Sequence, residues 1–256
     1  MTDGVLIPEK GRNTLFASWK IALGGAILLL VALPLAFPDP YARIINFIYD
    51  GLWMTFAVTG AAALAATLVG LLVGMGQMSR FRPFNFISTI YVEVVRGIPL
   101  VVQMFYVYYS LGQFLSISGF PAAVLALAVC YGAYMGEIFR AGIQAIPQGQ
   151  MEAALALGLS RGQAFFNVIL PQTLKIILPA LGNEFIALLK DSSLVSMLAL
   201  VDLMQRGRQD ATKNFQYFET FTMVALIYLV ITLILSRLIG ILEERMQNKP
   251  KGGVTS

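Results

Sequence analysis

The 256-residue sequence has no histidine, one cysteine and only 12% charged residues. Without histidine it has no imidazole metal site, no Ser-His-Asp triad and no Cys-His nucleophile. Cys130 alone closes no internal disulfide, and within its apolar stretch it reads as a small packing residue. No G-x-x-x-x-G-K run occurs, so the chain carries no phosphate-binding loop of its own. A paired acidic motif such as D-D-x-x-D is also missing, which with the absent histidine argues against an intramembrane enzyme. Soluble domains carry about 25% charged residues, and a chain with so few cannot clothe a globule of this length in polar groups. With 57% hydrophobic residues, the composition is that of an integral membrane protein.

Apolar runs long enough to cross a bilayer occur at about residues 19–37, 52–77, 84–109, 120–143, 174–189 and 218–242. The first follows Lys10, Arg12 and Lys20 but ends in Pro34, Pro38 and Pro40 with no small-residue cleavage site, so it reads as a retained helix. Residues 1–18 and 243–256 read as polar tails. Six spans place both termini on one side. With that side cytoplasmic, twelve basic residues lie in inner segments and five (Arg43, Lys190, Arg206, Arg208, Lys213) in outer ones, Arg96 falling inside a span. The bias favours cytoplasmic termini, and the outer stretch 191–219 is its weak point.

A polar, charged insert at about 147–172 separates the fourth and fifth spans. Pro147 stops the fourth span, and residues 148–157 are rich in helix formers. Gly158 stands where a glycine takes positive φ after a helix. Ser160 and Gln163 fit the S-x-x-Q capping box, so a second helix is expected there. Pro171 is expected to end that helix and to open the fifth span. Ala153 and Ala154 are expected to leave one flat face for a partner backbone, with Glu152 and Arg161 fixing register. The bland alternative is a surface loop between two helices.

The insert reads Gln150-Met-Glu152-Ala153-Ala154-Leu-Ala-Leu-Gly158, with Leu170-Pro171 at the usual distance. In this form it resembles the EAA loop of ABC-importer permeases. The surrounding blocks Val95-Arg96-Gly97-Ile98-Pro99-Leu100-Val-Val-Gln103, Glu137-Ile-x-Arg140-Ala-Gly142, Leu178-Pro179-Ala-Leu-Gly182-Asn183 and Lys190-Asp191-Ser192-Ser193-Leu194 are similar to the polar amino-acid branch, the histidine/glutamine permease type. The resemblance covers about 51–242. It implies an all-α type I permease fold with a five-span core, to which the span 19–37 is an N-terminal addition. It further implies a bacterial inner-membrane uptake system for an amino acid. The expected partners are a dimer of ABC ATPases, a second permease subunit (identical or paralogous), an extracytoplasmic substrate-binding protein and membrane lipid, with no nucleic acid. The chain itself would not be an enzyme and would hold no cofactor or metal, ATP and Mg being bound by the ATPase. Gln150, Glu152, Ala153, Ala154, Gly158 and Arg161 would couple to that partner.

Charges inside the spans are costly, about 2.5–3.5 kcal/mol each near the bilayer centre, so they should face protein or water. Glu93 with Arg96, and Glu137 with Arg140, are three apart and share a helix face. Glu137 and Arg140 either line the path or anchor a helix end. Pro99 predicts a kink in the third span, and Arg96 beside it is either a gate or carboxylate contact, or part of a purely structural bend. Asn183, Glu184, Lys190, Asp191, Ser192 and Ser193 form the densest polar cluster of the fifth span. Residues 190–193 are expected to stop one helix and start a short one over 194–203, lining the path or forming an interfacial turn. With Gln103, these are the candidate path residues. Gly70-x-x-x-Gly74 and Gly132-x-x-x-Gly136 predict close helix packing. The competing reading is a secondary transporter with Glu93, Glu137 or Glu184 as proton site. It would not need the elbow, and no inverted repeat is evident.

Overall fold

The structure is a computed structural model that describes residues 12–247 except 115 and 199, with side chains described from residue 19 to 246. Most of both expected tails lies outside the described residues. All regular structure in the described residues is helical. Helix α1 spans Arg12–Ala36, α2 Arg43–Ile48, α3 Gly51–Gln77, α4 Arg82–Gly97 and α5 Leu100–Phe105. A wide turn continues α5 into α6 (Gly112–Phe114), and α7 is Gly119–Gln144. The elbow holds α8 (Gln148–Ala156) and α9 (Arg161–Ala164), followed by α10 (Leu170–Asp191), α11 (Leu203–Asn214) and α12 (Tyr217–Gln247).

Among the described residues, five helical stretches are long and apolar enough to cross a bilayer alone, and a sixth crossing exists if α4 and α5–α6 count together. The centre of the bundle is α7, which is 61% buried against 6% for α1 and 11% for α12. Its core partners include Val58, Ala62 and Ala66 of α3 and Leu188 of α10. Fully buried Cys130 lies in that core, as a packing residue should. The α3–α7 crossing depends on glycine. A Cβ on Gly70 would stand 2.6 Å from the Met135 Cβ and 2.9 Å from the Gly136 nitrogen, so the two backbones close to a distance no side chain permits.

The third apolar run is broken rather than kinked: α4 and α5–α6 meet at 112°. Proline forces the residue before it out of the helical region, and Ile98 is extended at φ −107°, ψ 137°. Pro99 also lacks the N–H that would have bonded Val95. The Gln103 side chain replaces it, its Nε2 donating to the carbonyls of Val95 and Ile98, the latter at 2.6 Å. The break is therefore held open by a specific surrogate bond.

Two further expectations are corrected. Pro171 does not end a helix, because a turn of wider π geometry at Phe165–Ile169 absorbs the missing bond and the chain runs on helically from Arg161 to Leu198. Residues 190–193 do not break the helix either. Helix α10 continues through Asp191 and tightens into a 3₁₀ stretch, Ser192–Leu198, in place of the expected helix over 194–203. Ser192 is fully buried and donates to the Leu189 carbonyl at 2.8 Å, so it serves the backbone.

The N-terminal addition lies along α12 and is fastened at both ends. At one end the Trp19 indole donates to the Leu233 carbonyl at 3.1 Å. At the other, Arg43 donates to Asp210 of α11 at 2.5 Å and to Gln216. Ile44 and Ile48 bury fully against Leu203 and Met223. These contacts make α1, α2, α11 and α12 one packed unit.

Candidate functional site

The elbow folds as its local signals dictate. Helix α8 ends in a Schellman motif: the Leu159 N–H reaches Ala154 O at 3.2 Å and the Gly158 N–H reaches Leu155 O at 3.0 Å. Gly158 takes φ +84°, and no atom lies within 4 Å of where a Cβ would sit. Ser160 then caps α9 with both bonds of the box, Gln163 N to Ser160 Oγ at 3.3 Å and Ser160 N to Gln163 Oε1 at 2.9 Å. Gln150 is tied to the start of α10 by Gln172 at 3.2 Å.

Glu152, Ala153 and Arg161 are exposed on this corner. Ala154 is not. It is 3% exposed and turned into the elbow, where Ala164 is also buried, so its small size serves the corner's own packing. What the sequence reading missed are Leu157, 84% exposed, and Phe166, 66% exposed. Both are large apolar side chains standing out of an otherwise polar insert. They were visible in the sequence as the residues that interrupt its polarity.

The second group of residues converges from three helices. Arg96 of α4 sits over the Tyr134 ring of α7, its Cζ 5.8 Å from the centroid. Its charge also acts on Glu137 of α7 and on half-buried Glu184 of α10. Tyr131 of α7 donates to Asp191 Oδ2 at 2.6 Å, and Asp191 in turn acts on Glu184. The Glu137–Arg140 pair forms as its spacing predicts, with Arg140 Nε to Glu137 Oε2 at 3.0 Å. Arg96, Glu137, Glu184 and Asp191 are thus one electrostatic cluster, completed by Tyr131 and Tyr134, which the sequence reading did not include. Ser192 and Gln103 stand apart, committed to backbone carbonyls, and Pro99 shapes the break. Asn183 and Lys190 are exposed and Ser193 is partly exposed.

A third polar point lies beyond the spans, where the fully buried Asp202 caps α11, its Oδ1 accepting from Gln205 N at 2.9 Å. The other oxygen has no partner among the described residues. Burial pushes this carboxyl up to about 6, against backbone N–H bonds that pull it down. A raised folded-state value stabilises the fold fully below the ordinary carboxyl range, and that stability is lost as pH rises through about 6. Asp202→Asn keeps the capping oxygen and removes the titration. Thermal melts of the detergent-solubilised protein should therefore show wild-type Tm falling between about pH 4 and 7, and the variant should lack that slope. An equal slope in both would assign the dependence elsewhere.

A model of the family described as "Binding-protein-dependent transport system inner membrane component" matches residues 66–248, which includes the elbow and the polar cluster and leaves out α1 and α2. The chain is 40% identical over 206 residues to the arginine transport system permease protein ArtQ of Bacillus subtilis, covering 80% of this chain and 94% of that one. It is 36% identical over 206 residues to the glutamine transport system permease protein GlnP of Escherichia coli, covering 79% and 94%. Among solved structures, an amino acid ABC transporter with histidines superimposes with TM-score 0.75 at 41% identity, covering 80% of this chain and 96% of that one. An inward-facing MetNI methionine ABC transporter shares the fold at TM-score 0.68 and 20% identity, covering 80% and 98%.

Proposed function

The chain belongs to the family of binding-protein-dependent transport system inner membrane components, and from that premise we propose how it works as the permease subunit of an ABC amino-acid importer. It forms a wall of the translocation path. The elbow seats in a cleft of a separate ATPase, with Leu157 and Phe166 as apolar knobs and Glu152 and Arg161 setting register. The observation that carries this reading is the rigid, exposed corner itself, because a closed Schellman turn and a full capping box transmit force as one body. ATP and Mg belong to that partner. Closure of the ATPase dimer draws the elbows together and tilts α7 and α10, which flank the corner and carry the polar cluster.

The cluster of Arg96, Glu137, Glu184 and Asp191 lines the path, where it receives the ammonium and carboxylate of an amino acid delivered by an extracytoplasmic binding protein. Asn183, Lys190 and Ser193 border it. Pro99 and Gln103 act indirectly, by holding the bend that presents Arg96. Both termini and the elbow lie in the cytoplasm. That placement requires α4 with α5–α6 to complete a crossing, since a re-entrant pair would put the elbow outside. The experiment is uptake of labelled amino acids into proteoliposomes that hold this chain with its ATPase and binding protein. Accumulation that needs ATP supports the reading; accumulation driven by a proton gradient without ATP favours the secondary transporter.

A further inference from the structure

Helix α11 turns a row of hydrogen-bond donors away from the bundle. Gln205, Arg208, Gln209 and Thr212 recur at helical spacing, and Lys213 flanks them. The opposite face, with Leu203, Gly207, Asp210 and Ala211, is buried. Asp202 and Asp210 are both inside, Arg206 is paired with Asp50, and Arg43 is paired with Asp210. Arg208, Gln209, Thr212 and Lys213 are exposed, and their side chains make no hydrogen bond or ion pair among the described residues. Only the buried Asp202 acts on Arg208, from beyond ion-pair distance. Two cavities meet at this row. One, of about 650 Å³, has Phe105 of α5, Met197, Met204 and Phe221 of α12 for apolar walls, together with Gln205 and Arg208. The other, of about 370 Å³, shares those last two residues and adds Gln209, Thr212 and Lys213. Apolar space thus passes into cationic, donor-rich space across Arg208, and no carboxylate among the described residues lines either cavity.

We propose that the two cavities together hold one anionic glycerophospholipid, its phosphate between Arg208 and Lys213 and an acyl chain along Phe105, Met197 and Phe221. The level is that of the membrane surface. Helices α3 and α12, both packed on α11, carry exposed Trp53 and Tyr217 at their near ends, and such residues gather at that surface. A guanidinium takes a phosphate through two parallel N–H bonds, while Gln209 and Thr212 offer further donors. A headgroup that also bears an ammonium meets two cations and no acid, so a lipid of net negative charge is selected. A free anion, or an acidic patch on another protein, would use the donor row but leave the apolar cavity unfilled. Basic residues on an outer segment oppose the charge bias that orients the chain, and a bound anion accounts for two unpaired ones there. The inference needs only that α11 lie at the membrane surface, and the permease reading survives its failure.

The test uses the full-length chain in complex with its ATPase, stripped of lipid in detergent. Phosphatidylglycerol added to the micelles raises Tm by mass action, and phosphatidylethanolamine with the same chains does not. Inorganic phosphate and glycerol phosphate, which lack the chains, give no shift. Arg208→Gln combined with Lys213→Gln raises the phosphatidylglycerol concentration at half the shift by more than about tenfold. The lipid-free Tm of that variant stays at the wild-type value, because both side chains are exposed and unpaired. Arg80→Gln combined with Arg82→Gln removes the same net charge from exposed positions elsewhere and keeps the wild-type concentration. Equal shifts with both lipids, a shift with inorganic phosphate alone, or the same loss in both double variants overturns the proposal. So does an unchanged phosphatidylglycerol response in the first variant with capture of the binding protein abolished, which would make the row a protein dock.

Discussion

Gly158→Val should stop transport without removing the chain from the membrane. Gly158 holds φ +84° with nothing within 4 Å of its missing Cβ, so the Cβ itself has room and the cost lies in the backbone conformation. For an L-residue that cost is about 1–2 kcal/mol, and valine's branched Cβ makes it harder to bear. The turn relaxes, the Leu159 and Gly158 N–H bonds to α8 loosen, and α8 no longer points rigidly into the ATPase. A shift of about 1.4 kcal/mol is tenfold, so substrate-stimulated ATP hydrolysis by the complex should fall by about that factor. Gly158→Asn, whose side chain tolerates the left-handed region, should keep most activity. Unchanged hydrolysis in the valine variant would show that the elbow's geometry does not matter to coupling.

Arg43→Ala should produce the largest loss of stability. Asp210 has a side chain only 2% exposed. It accepts from Arg43, from Asn214 at 2.9 Å and from Thr220 at 3.0 Å. Removing the guanidinium strands a buried carboxylate, a change that costs about 3–5 kcal/mol when the pair is fully enclosed. Arg43 is 38% exposed, so water screens part of this and about 2–3 kcal/mol is the appropriate scale. Adding Asp210→Asn to the alanine variant should recover most of the loss, which a double-mutant cycle of thermal melts measures. If the double variant is no more stable than Arg43→Ala alone, Arg43 contributes through packing and the ion pair is incidental.

These two positions mark how far the sequence could be read. The elbow was legible because everything that shapes it is local: a proline before α8, a glycine after it, a serine and a glutamine three apart. The Glu137–Arg140 pair was legible for the same reason. Arg43 and Asp210 are 167 residues apart, and no periodicity or spacing points from one to the other. Tyr131 and Tyr134 likewise looked like ordinary aromatics of an apolar helix until α10 brought Asp191 beside Tyr131 and α4 set Arg96 over the Tyr134 ring. Pro99 announced a bend, but the 112° angle depends on Gln103 standing in for the lost donor.

The polar run at 190–193 misled for a different reason. Its side chains suit a cap, yet Ser192 satisfies the Leu189 carbonyl and the helix tightens instead of stopping. The cap falls at Asp202, where a buried carboxylate meets the Gln205 N–H. Pro171 misled because one turn of wider geometry can absorb a missing bond, and nothing in the sequence announces such a turn. Ala154 kept its place in the motif but exchanged an outward role for an inward one.

Coupling through the elbow requires that corner to lie in the compartment that holds the ATPase, with the polar cluster reached from the other side. Membrane-impermeant labelling of an Ala156→Cys probe in a Cys130→Ala background tests this directly, with Asp39→Cys as the opposite marker. Reaction of position 156 only from the cytoplasm, with protection when the ATPase is bound, and of position 39 only from outside, is the predicted result. Reaction of position 156 from outside would contradict the topology and, with it, any docking of an ATPase on this corner.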